Sequence, residues 1–135
     1  MAKLTVITPW IGAGVAGNPY RPRLGADYPT ASTQDITGQA CANLIPSVNL
    51  HILEVECSDA TATAIKGNTN YFVLTDGATL NDGATLSSGQ ASAARTWLQS
   101  KGIALADLTG RVAAGMTRKQ VRDALKALAL TWKRA

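Results

Sequence analysis

The chain has 135 residues, long enough to bury a hydrophobic core without disulfide or metal staples and short enough to read as one domain, 1–135. Hydrophobic residues make up 46% and charged residues only 16%, and Ala, Thr, Gly, Asn and Ser fill the gap in charge. No apolar run reaches the ~18 residues that cross a bilayer, and Cys41, Cys57 and the single histidine, His51, match no zinc spacing, so membrane spans and cofactor-bound metals are not expected.

The net charge of +4 is unevenly placed. From Arg95 onward nine basic residues stand against two acids, whereas the first 94 residues carry four basic and seven acidic ones. A basic tail can attract nucleic acid, and it can equally attract the acidic front of a neighbouring copy. A surface of small neutral residues repels itself little and suits close subunit contact. The two cysteines read as free thiols in a reducing compartment. Leu4–Ala16, behind Lys3, imitates a signal-peptide core, but Thr5, Thr8 and Pro9 interrupt it and it reads as mature protein.

In chain order, Leu4–Thr8 is β-branched and apolar and reads as a strand ended by Pro9. Gly12–Pro29 holds four glycines and three prolines and reads as a long ordered loop. Such loops often bind partners, and Trp10, Val15, Tyr20, Arg21 and Arg23 are its candidate protein contacts. His51–Cys57 alternates, with His51, Leu53, Val55 and Cys57 on one face and Ile52, Glu54 and Glu56 on the other. Ser58 or Asp59 can cap a helix ending near Gly67, and Tyr71–Leu74 reads as the next strand. The spacing allows a helical crossover between parallel strands, so 50–75 is expected to form a βαβ unit.

Asp-Gly-Ala-Thr-Leu occurs twice, at Asp76–Leu80 and Asp82–Leu86, and each Asp-Gly favours a tight turn. Ser87 and Gln90 have capping-box spacing, which predicts a helix over 88–101 stopped by Gly102, with Ile103 making the C-terminal apolar contact. Leu105–Leu108 can add a short turn. Thr117 and Gln120 repeat the capping-box spacing and predict a helix over 117–133. Val121, Leu125, Leu128 and Trp132 form its apolar stripe. Arg118, Lys119, Arg122, Lys126 and Lys133 are its candidate basic surface. The expected fold class is α+β: a small mixed sheet with the βαβ unit, covered by the two C-terminal helices.

Motifs that could carry chemistry have simpler readings. Gly12, Gly14 and Gly17 spell G-x-G-x-x-G, but a dinucleotide site needs a helix to open at the last glycine, and Asn18-Pro19-Tyr20-Arg21-Pro22 follows instead. His51 and Cys57 lie roughly 20 Å apart along one strand, too far for a dyad. Glu54 and Glu56, ~7 Å apart on one face, read as a solvated strand face rather than an acid–base pair. Asp76, Asn81 and Asp82 depart from calcium-loop spacing. Gly115–Leu125 resembles the turn and second helix of a helix-turn-helix, yet 103–114 makes a poor first helix. No catalytic residue and no cofactor are expected, and the chain does not read as an enzyme.

Thr8-Pro9-Trp10-Ile11-Gly12 and Asn18-Pro19-Tyr20-Arg21-Pro22 resemble the opening of small proteins encoded in phage and prophage structural-gene clusters. A looser similarity runs through His51–Leu74. The resemblance implies a non-enzymatic virion structural or assembly protein: capsid-associated, or a neck or tail component. It would be made in the host cytoplasm and reside in the virion, bound to copies of itself or to other virion proteins. The alternative from the residues is a small nucleic-acid-binding protein using the basic C-terminal helix, with weak contact to DNA.

Overall fold

The computed structural model describes residues 2–13, 16–18, 21–31, 50–77 and 80–132. The fold is α+β, and its sheet is built around the first strand. β1 (Ala2–Ile11) pairs antiparallel with β3 (Leu50–Cys57) from Ala2 opposite Cys57 to Pro9 opposite Leu50. It also pairs antiparallel with β4 (Phe72–Thr75) through Thr5–Ile7, and with the two-residue β2 (Arg21–Pro22) through Trp10 and Ile11. β3 and β4 therefore run parallel to each other with β1 between them. The crossover joining them is α2 (Asp59–Lys66), so the βαβ unit of 50–75 is a split one.

Pro9 does not end the first strand, contrary to the sequence expectation. It stands at the last β3 pair and in the interval between the β4 pairs, which stop at Ile7, and the β2 pairs, which start at Trp10. At such a margin of the ladders a missing N–H is tolerated.

Alternation along the strands sends side chains to two faces, and both are covered. On one face Ile7, Leu50 and Leu74 pack with Ala91, Ala94 and Leu98 of α3 (Ser88–Ser100), Leu108 of α4 (Leu105–Leu108), and Val121, Leu125 and Leu128 of α5 (Arg118–Trp132). On the other face Leu4, Val6, Leu53, Val55 and Cys57 pack with Ala62 and Ile65 of α2 and Leu24 of α1 (Arg23–Asp27). The C-terminal helices thus cover one side of a three-layered domain, and the crossover helix covers the other.

The glycine- and proline-rich segment is more regular than its composition predicts, since β2 and α1 lie inside it. Pro22 is the residue before α1, at φ −62°, where a fixed φ suits the chain's entry and no N–H is required. Leu24, one residue into α1, is fully buried, and its N–H donates to Thr8 Oγ1 at 3.3 Å. Tyr71 fastens the far end of α1 by donating its hydroxyl to Asp27, which also pairs with Arg23 at 3.4 Å. Burial, then the hydrogen bond to Asp27, pushes the Tyr71 hydroxyl well above its ordinary pKa.

Caps behave as the sequence predicts. Ser58 Oγ accepts from Thr61 N–H at the start of α2. At α3, Gln90 N–H donates to Ser87 Oγ at 3.2 Å while Ser87 N–H donates to Gln90 Oε1 at 2.9 Å. α3 ends with Gly102 at φ 105°, Gly102 N–H on Gln99 O and Ile103 N–H on Leu98 O, so that Ile103 is buried. Ser87→Ala is expected to cost about 1 kcal/mol, because it removes one half of a reciprocal cap. Urea denaturation followed by circular dichroism would show it; a shift below a quarter of that would mean solvent replaces the cap without loss.

Candidate functional site

A cleft of about 500 Å³ opens where β3 and β4 end and β1 begins, roofed by α5 and by the turn after β4. One wall carries Lys3, Glu54 and Glu56; the other carries Asn81, Asp82 and Arg122; Thr5 and Thr75 line it from the sheet. Its place follows from the split βαβ unit. Two parallel strands finish at the same edge of the sheet, as the strands that frame ligand crevices do in open α/β sheets. Gly77, at φ 74°, lets the chain turn there, and a side chain on it would come within 3.4 Å of Lys3 O.

The walls are charged and partly neutralised. Arg122 donates to Asp82 Oδ1 at 2.6 Å and lies 3.8 Å from Asp123; its side chain is only 12% exposed. The hydrogen bond to Asp82 raises the Arg122 pKa and burial opposes it. Glu56 pairs with Lys3 at 3.4 Å and Glu54 with Lys126 at 3.9 Å, all four side chains being exposed by about half or more. These two pairs are loose, since exposed pairs of this kind are worth ~0–1 kcal/mol. Thr75 donates its hydroxyl to Thr5 Oγ1 at 2.7 Å, both residues being buried.

Arg118, expected on the basic surface, is instead buried at 5% exposure. Its Nη1 donates to Leu74 O at 2.8 Å, and it lies near Asp76, whose carboxylate is ion-paired with Lys66 at 3.0 Å. Burial lowers the Arg118 pKa and Asp76 acts against that. Arg122 is part-buried: it lines the cleft and is held by the half-exposed Asp82, so it does not stand free on a solvated face. Lys119 and Lys126 are exposed as expected, Lys119 beside Asp123 at 3.6 Å. Lys133 lies outside the described residues.

Of the loop contacts, Trp10 is buried and packs at a tilt against His51 with ring centroids 4.8 Å apart, so it closes the core instead of meeting a partner. Arg23 is exposed and tied to Asp27. Arg21 pairs through its backbone with Ile11. Val15 and Tyr20 fall outside the described residues, as does Cys41. Cys57 is a buried thiol, pushed up in pKa by burial and then by Asp59. Where a dinucleotide site needs a helix, Ala13 N–H closes a turn on Asn18 O, and the first helix begins only at Arg23. Asp76 holds Leu80 N–H at 2.8 Å besides Lys66, which commits its carboxylate to the turn.

Among the described residues no group of three or more His, Cys, Asp or Glu is placed to hold a metal ion, and no helix is long and apolar enough to cross a membrane. Comparison with protein-family models, with curated proteins and with solved structures finds no match.

Arg122→Ala is expected to cost about 1 kcal/mol, since Asp82 is half exposed and solvent screens part of the pair. The loss should shrink in high salt, which denaturant melts at two ionic strengths would reveal. An unchanged difference would locate the effect in packing of the side-chain stem.

Proposed function

We propose that this chain is a non-enzymatic structural or assembly protein of a phage virion, capsid-associated or part of the neck or tail, acting through contacts with copies of itself or with other virion proteins. The N-terminal phrase suggests the setting. The observation that carries the contact role is the outer face of α3, where Ser88, Gly89, Ser92, Ala93, Thr96 and Gln99 are exposed and no exposed position is charged. Such a face can be covered by another chain without stripping water from charges, which is the costly step in association. Leu105, exposed by about half, follows at the next turn of chain.

The alternative, nucleic-acid binding through α5, is less well supported. A phosphate-reading helix needs free cations, and here Arg118 turns inward, Arg122 holds Asp82, Lys119 faces Asp123 and Lys126 faces Glu54. Duplex DNA should therefore bind weakly, without sequence preference, and with a steep fall as salt rises.

Mass photometry and electron microscopy test the main reading. The wild-type protein is expected to form rings or larger species, or to join particles, and Ser92→Glu with Thr96→Glu should abolish that while leaving the melting curve in place. A protein that stays monomeric and joins no particle, or a double variant that assembles normally, overturns it. Sequence-selective DNA binding at physiological salt would promote the alternative instead.

A further inference from the structure

We propose that the open edge of β3 pairs antiparallel with β3 of a second copy of this chain, joining two sheets across a two-fold axis at Leu53. This rests on the reading of the chain as one that contacts copies of itself, and it adds a second contact surface to the α3 face.

The strands on either side of β1 differ. β4 is four residues long, its register to β1 is interrupted, and its Leu74 O is taken by Arg118. β3 is eight residues long, runs without a register shift from Leu50 to Cys57, and among the described residues pairs with β1 alone. It carries neither proline nor lysine, the residues that commonly blunt a free edge.

The backbone groups that face outward follow from Lys3. A side chain on Gly77 would come within 3.4 Å of Lys3 O, so that carbonyl is turned to the β4 side. Lys3 stands opposite Glu56, and backbone groups alternate in direction along a strand. Ile52, Glu54 and Glu56 therefore turn both N–H and C=O away from β1. Among the described residues these outward groups have no hydrogen-bond partner. A row of unpaired groups at strand spacing is a template for another extended chain.

The sequence of β3 selects itself as the occupant. With Leu53 on the axis, Ile52 of one copy faces Glu54 of the other, and Leu50 faces Glu56. Outward-turned residues then meet outward-turned residues, as a ladder requires. No acid stands directly opposite an acid in this register, whereas an axis at Glu54 would set that residue against itself. The remaining negative charge is met inside each copy, Glu56 by Lys3 at 3.4 Å and Glu54 by Lys126 at 3.9 Å. The edge can thus close on a second copy without a counter-ion from another protein.

Analytical ultracentrifugation over a rising concentration series, with amide hydrogen exchange followed residue by residue, tests the pairing. The wild type is expected to dimerise. As the dimer forms, the amides of Ile52, Glu54 and Glu56 should exchange about tenfold or more slowly, while those of Leu53 and Val55, already bonded to β1, should change little. Glu54→Pro removes an outward N–H and no bond to β1, a position where an edge strand tolerates proline. It should keep the wild-type circular dichroism and weaken dimerisation about tenfold or more, since it acts twice per dimer. Glu54→Gln, which keeps the N–H, should dimerise like wild type. A wild type that stays monomeric throughout overturns the pairing, as does a folded Glu54→Pro variant that dimerises normally. So does a dimer whose Glu54 and Glu56 amides exchange as fast as in the monomer, a measurement that also decides the matter if the proline variant does not fold. Ser92→Glu with Thr96→Glu should leave the dimer intact. If that variant loses the dimer and Glu54→Pro keeps it, the edge assignment falls alone; if Glu54→Pro loses the dimer and the wild type forms no larger species, the edge stands and the α3 contact reading falls.

Discussion

Leu125→Ala should destabilise the protein by about 2–5 kcal/mol, a large share of the roughly 5–15 kcal/mol that holds a domain of this size together. Leu125 is 3% exposed and sits between Val121 and Leu128, which are equally hidden, against the sheet residues Leu74 and Leu50. α5 reaches them because its stripe recurs at intervals of four and three, keeping the three side chains over one side of the helix. Removing the isobutyl group leaves a void that neither the sheet nor the capped helix can close without breaking other contacts. Lys119→Ala, six residues earlier on the exposed side, should cost no more than about 0.5 kcal/mol. Urea melts of both variants with a shared slope would establish the contrast. A neutral Leu125→Ala would mean that the stripe faces solvent or a partner, and that the sheet is covered by something else.

What could be read from the sequence was what is decided locally. Both capping boxes, the Gly102–Ile103 stop of α3 and the alternation of β3 involve residues at most a few positions apart. Strand order was different in kind. β1 meets β3 and β4 across separations of some forty to seventy residues, and no property of Leu4–Thr8 distinguishes a central strand from an edge one. The regular pieces within Arg21–Asp27 were hidden because they sit inside a segment punctuated by prolines and glycines, although Pro22, immediately before α1, has the fixed φ that suits a helix entry. The cleft had no sequence signature, since its walls come from β1, β3, the turn after β4 and α5, each contributing ordinary residues.

Arg118 is the case where spacing and residue type gave opposite answers. It precedes Val121 by three and Leu125 by seven, which places it on the buried stripe, yet its charge suggested the solvated side. The structure follows the spacing. The cost of enclosing a guanidinium is offset by Leu74 O and by the nearby Asp76, itself held by Lys66.

Arg118→Ala is accordingly expected to cost about 3–5 kcal/mol, since it removes one member of a buried charge group and leaves a void. Three losses combine. Leu74 O loses the donor at 2.8 Å, Asp76 loses a positive neighbour, and the stem of the side chain no longer fills its place between β4 and the start of α5. Arg118→Met separates them. It keeps most of the volume and removes the Nε–H, which is buried and has no hydrogen-bond partner among the described residues. Asp76 retains Lys66 and Leu80 N–H, so its carboxylate is not stranded. Only the Leu74 carbonyl is left unpaired, and Arg118→Met should cost about 1–3 kcal/mol. The order Ala worse than Met is the diagnostic result in denaturant melts. Equal and small effects from both substitutions would put Arg118 back on the surface, free a cation at the start of α5 and revive the nucleic-acid reading. An Ala and a Met variant equally and severely destabilised would instead show that the charge itself, not the filled volume, joins α5 to β4.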